Sequence, residues 1–127
     1  MKLILERNQK SAGILSSKQV FQVTFRAEVS EAERGAIDKY KLADDVLYES
    51  HEILDPGSGL LGLASRLAMK NQIKTLNVRE LVNGKTIACT NIVEMKSIEG
   101  QVTQAAQNLK AILDTAATFG GREVIEL

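Results

Sequence analysis

The sequence predicts an α+β protein: a mainly antiparallel sheet with helices packed on one face. Three observations predict it. Residues Lys18–Val29 alternate Phe21, Val23, Phe25, Ala27 and Val29 with Gln22, Thr24, Arg26 and Glu28, the pattern of a strand with one buried and one wet face. Residues Ser97–Phe119 instead repeat Ile98, Val102, Ala105, Leu109, Ile112, Leu113 and Ala116 at steps of three and four, which gives a helix one apolar stripe. Between them, shorter strand and helix patterns alternate with Gly-rich breaks, so each helix follows a strand that needs covering.

Taken in order, Leu3, Ile4 and Leu5 start a short first strand, and Asn8–Ser17 reads as a polar loop before the clear second strand. The two form an antiparallel hairpin. Ser30-Glu31-Ala32-Glu33 is a capping box that opens a surface helix over Glu31–Lys41. Its acids come first and Lys39 and Lys41 last, as the helix dipole favours. Asp45–Leu54 reads as extended, and Asp55-Pro56-Gly57-Ser58-Gly59 breaks it. Leu60–Asn71 then carries Leu60, Leu63, Ala64, Leu67 and Ala68 at helical spacing. Thr75–Val82 and Lys85–Val93 flank Asn83-Gly84, a strong hairpin signal. The long helix follows, capped by Ser97 and ended by Gly120-Gly121, and Arg122–Leu127 is a terminal strand. From Val46 onward the order strand, helix, strand, strand, helix, strand matches the βαββαβ arrangement of ferredoxin-like domains, with a hairpin and helix added in front.

A chain of 127 residues has room for one domain, taken as 1–127. Its 44% hydrophobic and 25% charged residues are globular proportions. Sixteen basic residues balance sixteen acidic ones, and aromatics are 4% with no Trp, which argues against a nucleic-acid partner. No apolar run approaches a membrane span or a signal-peptide core, so no membrane partner is expected. The single Cys89 has no disulfide partner within the chain, and the expected location is the cytoplasm.

Candidate chemistry is sparse. Gly57-Ser58-Gly59-Leu60-Leu61-Gly62 matches G-x-G-x-x-G, with Glu80 eighteen residues after Gly62. In dinucleotide-binding folds such glycines let the backbone approach a pyrophosphate, and the acid binds a ribose hydroxyl. Pro56 and the Asn83-Gly84 turn argue against that fold, and the plainer reading is a loop entering a helix, or a looser anion site at that helix start. Asp44, Asp45, Glu49, Glu52 and Asp55 surround His51, the only histidine, yet no second histidine is present to complete a metal set. No metal and no cofactor is therefore expected. Cys89 lies on the apolar side of its strand, where a thiol is inert. Glu80 shares that side, and must reach water or pair with a cation such as Lys85.

The expected function is a non-enzymatic protein-interaction or oligomerising module, most simply a dimer. The surface assigned to it is the uncharged flank of the long helix, Gln101, Gln104, Asn108, Ala111 and Thr115, because interface centres are depleted of charge. The alternative is a binder or enzyme for a small molecule or phosphate ligand, using Gly57, Ser58, Gly59, Gly62, Glu80 and His51.

Overall fold

The computed structural model describes residues 1–11, 19–50, 73–119 and 124–127. Strands β1 (Lys2–Ser11) and β2 (Gln19–Glu28) form the expected hairpin, with Leu5 opposite Phe25 and Arg7 opposite Val23. The first strand is longer than the sequence suggested, because Glu6 to Ser11 keep pairing with β2 although their side chains are polar. On β2 the alternation predicts burial correctly: Val23, Phe25 and Ala27 are buried, while Arg26 and Glu28 are exposed.

Ser30 caps helix α1 (Glu31–Lys39), accepting from the Glu33 N–H while Glu33 accepts from the Ser30 N–H. The Ser30 backbone N–H, and after it the Met1 ammonium 3.1 Å away, hold the Glu33 carboxyl below its ordinary pKa. Ile37 anchors this surface helix to the core. A short strand, β3 (Val46–Glu49), then pairs antiparallel with β4 (Thr75–Asn77).

The Asn83-Gly84 hairpin is corrected by the structure. Residues Val78–Asn83 form a helix, α2, and Gly84 ends it. Its four orphan N–H groups explain why a helix forms there. Asn77 N–H donates to Glu80 Oε1 at 3.2 Å, and Glu80 N–H donates to Asn77 Oδ1 at 2.9 Å. Val78 and Arg79 N–H donate to the carbonyls of Asp45 and Ala43 at 3.1 and 2.9 Å. With all four satisfied, Val78 and Leu81 bury completely against β2. Gly84 does need positive φ, at 91° with ψ 151°, a region essentially confined to glycine.

Strand β5 (Lys85–Cys89) follows, but it pairs with β2 rather than with β4: Phe21 faces Cys89, Val23 faces Ile87 and Phe25 faces Lys85. The main sheet therefore runs β1-β2-β5, beside a two-stranded ribbon β3-β4. The class is α+β with antiparallel sheets, as expected. The central hairpin of a ferredoxin-like order would join β4 to β5, and these two strands belong to different sheets.

The long helix, α3 (Ile92–Thr118), begins five residues before the expected Ser97 cap. Asn91 is its cap, accepting from the Glu94 N–H at 2.8 Å, so Ile92–Met95 are helical rather than the end of a strand. Its apolar stripe, Ile98, Val102, Ala105, Leu109 and Leu113, closes the core over β2 and β3. At the far end the Phe119 ring meets Tyr40 edge-on, with centroids 5.3 Å apart. Val124–Leu127 belongs to no strand, contrary to expectation. Among the described residues, no helix is long and apolar enough to cross a membrane.

Candidate functional site

Between the two sheets lies an open trough. Along one side run Ile73, Lys74, Thr75 and Leu76, which lead into and form β4. Lys85, Ile87 and Ala88 of β5 line the other side, and the trough between them encloses about 460 Å³. Each wall is fixed from behind. The Ile73 N–H donates to Gln101 Oε1 of α3 at 3.1 Å, and the Lys74 carbonyl accepts from the Ser50 N–H at 2.9 Å. Strand β5 is bound to β2 along one edge, and among the described residues its other edge pairs with no strand. An unpaired edge presents a row of N–H and C=O groups that a further strand can take up.

The charges at this trough are basic. Lys85 Nζ lies 2.8 Å from Glu80 Oε2, an ion pair formed at a carboxylate that stays half-exposed. Lys85 is the main cause holding the Glu80 carboxyl below its ordinary pKa, with the Asn77 N–H adding to it. Glu80 is thus occupied by two structural roles, closing the α2 cap and holding Lys85. Lys74 is exposed on the opposite wall.

On the far side of β5 lies a cluster whose chemistry is structural. Glu94 is fully buried and its carboxylate accepts from Thr90 Oγ1 at 3.1 Å. Glu99, also buried, is bound by the Arg7 guanidinium of β1 and by Lys96 Nζ at 3.4 Å. Cys89 is buried within reach of both carboxylates. Burial pushes its thiol pKa up, and the Glu94 and Glu99 carboxylates add to the shift. A thiol held protonated in this way is a poor nucleophile.

The flank of α3 assigned to an interface divides in two. Gln101 is buried and holds the Ile73 N–H, and Asn108 Nδ2 donates to the Leu47 carbonyl of β3 at 2.7 Å. These amides lack charge because they satisfy backbone groups of the β3-β4 ribbon. Gln104, Ala111 and Thr115 remain exposed on the same helix. Of the acidic stretch, Asp44 pairs with Arg79 at 2.6 Å on the surface, and Asp45 and Glu49 are exposed. Gly57, Ser58, Gly59, Gly62 and His51 lie outside the described residues, as do Glu52, Asp55 and the expected helix Leu60–Asn71. Among the described residues, no three His, Cys, Asp or Glu side chains are gathered as a metal site.

The trough was missed by sequence reasoning because its walls come from segments assigned to one hairpin. The Asn77-x-x-Glu80 spacing was the signal that would have separated them. No protein-family model, no curated protein and no solved structure matches this chain.

Proposed function

We propose that this protein is a non-enzymatic association module that assembles with a second copy of itself in the cytoplasm. The observation that carries the reading is the outer edge of β5, which pairs with no strand among the described residues and lies beside an open trough. Exposed sheet edges are ordinarily shortened, bent or covered, because they recruit other strands. Here half-buried Ile87 and exposed Ala88 lie along such an edge, while Ile73 and Leu76 across from it are buried in the core. Exposed apolar side chains elsewhere, among them Val46, Ile92, Val93 and Phe119, add surface of the kind that association covers. The buried acids Glu94 and Glu99 are tied into hydrogen-bond and ion-pair contacts, which supports a structural part for them.

Sedimentation velocity on the purified chain over a concentration series tests this reading. The expected result is a species of twice 13.9 kDa that dissociates on dilution. A single 13.9 kDa species up to about 100 μM would overturn it, since contacts weaker than that provide little more than 5 kcal/mol.

A further inference from the structure

We infer that the trough between β4 and β5 binds a compact anion with two charged groups, phosphate or carboxylate, one held by Lys74 and the other by Lys85. The inference goes beyond the association reading and does not rest on it, because it uses side chains of the trough and needs no second copy. Three observations lead to it.

First, the lining carries charge of one sign. Among the described residues that line the trough, Lys74 and Lys85 are the only ionisable ones. They belong to opposite walls, Lys74 next to β4 and Lys85 at the start of β5. A cleft lined by one sign of charge over a low-dielectric wall concentrates counter-ions. The core itself is that wall, since Ile73 and Leu76 of the lining are buried.

Second, both cations have donors to offer. Lys74 is exposed and has no ion-pair partner among the described residues. Lys85 gives one N–H to Glu80 Oε2 at 2.8 Å, and an ammonium carries three. Glu80 is fully engaged, because its Oε1 accepts the Asn77 N–H at 3.2 Å while Oε2 accepts from Lys85. Exposed Thr75, beside Lys74, adds a neutral hydroxyl donor to the same wall.

Third, size and polarity select the ligand. The trough encloses about 460 Å³, a volume typical of small-ligand sites. Most such sites are apolar, but here the aliphatic surface left to a ligand is half-buried Ile87 and exposed Ala88. An organic body therefore gains little from burial, and charge supplies the recognition. Cations on two walls favour an anion with a charge at each end over one with a single charged group.

The test is calorimetric titration of the full chain with inorganic pyrophosphate and, in a second series, succinate, at low and matched ionic strength. At least one should bind with a Kd below about 1 mM, and the one that binds tells phosphate from carboxylate. Inorganic phosphate and acetate, each with one charged group, should bind at least about tenfold more weakly than their two-headed counterparts. Lys74→Gln breaks no ion pair and should raise the Kd about tenfold, the scale of one charge-assisted contact. Lys39→Gln, on α1, should leave it unchanged, and circular dichroism confirms that both variants are folded. In NMR spectra the amide signals of residues 74–76 and 85–88 should move during the titration. Absence of binding below about 1 mM in both series would overturn the inference. So would binding indifferent to Lys74→Gln, single-headed anions binding equally well, or signals moving only elsewhere in the chain. A monomeric chain that binds pyrophosphate through Lys74 would overturn the association reading and leave this one standing.

Discussion

Replacing Asn77 distinguishes a capped helix from a hairpin strand at the same residues, and the two predict opposite signs. In the structure Asn77 Oδ1 accepts the Glu80 N–H at 2.9 Å and its own N–H is held by the Glu80 carboxylate at 3.2 Å. Asn77→Ala removes the first bond and leaves the Glu80 N–H to water. Because the site is partly buried, the expected loss is about 1 kcal/mol, the usual cost of deleting a cap side chain. Helix α2 has only six residues and cannot recover that loss by its own propensity. For a chain of this length, about 1 kcal/mol corresponds to a Tm lower by roughly 2–5 °C. Asn77→Val should cost at least as much, since valine cannot cap. Urea denaturation would read both variants, with an unchanged slope showing that the unfolding unit is the same. In a strand, by contrast, valine is favoured over asparagine by up to about 1 kcal/mol. A more stable Asn77→Val variant would therefore refute the helix.

Other substitutions test the core and its charged groups. Phe25→Ala should destabilise by about 3–5 kcal/mol in the same assay, as for a fully buried aromatic, and a loss below about 1 kcal/mol would contradict the core assignment. Glu80→Gln should lower stability at neutral pH. The folded-state pKa of Glu80 lies below its unfolded value, so its contribution is present above the unfolded pKa and disappears as pH falls through the folded one. Wild type and variant should therefore converge in acid, and a gap independent of pH would contradict the Lys85 pairing. Cys89, buried with a raised pKa, should react with a thiol reagent at neutral pH at least about tenfold more slowly than in urea, and equal rates would contradict its placement.

What the sequence made legible followed from local chemistry. The Ser30-x-x-Glu33 box, the alternation on β2 and the apolar stripe of α3 each involve residues close in the chain, and each appears where expected. The same logic was available at Asn77-x-x-Glu80 and Asn91-x-x-Glu94, but β-branched neighbours and Asn83-Gly84 favoured a hairpin there. Gly84 has the positive φ that a hairpin turn requires, yet it serves to end a helix, so one backbone demand fitted two structures. The pairing of β5 with β2 was not legible at all. It joins Phe21 to Cys89 across more than half the chain, and nothing in either segment names the other. Since the trough exists only because β5 pairs there and not with β4, the candidate site was hidden for the same reason. The uncharged flank of α3 shows the converse. Its pattern was visible, but Gln101 and Asn108 owe their neutrality to backbone groups of the β3-β4 ribbon.

Amide hydrogen exchange along β5 at two protein concentrations tests the association account most directly. Amides of Lys85–Cys89 that donate to β2 should be protected at both concentrations, whereas those on the outer edge should gain protection only where the chain is dimeric. A dimer whose outer β5 amides exchange as fast as those of the dilute monomer would contradict the account, because association would then leave that edge open.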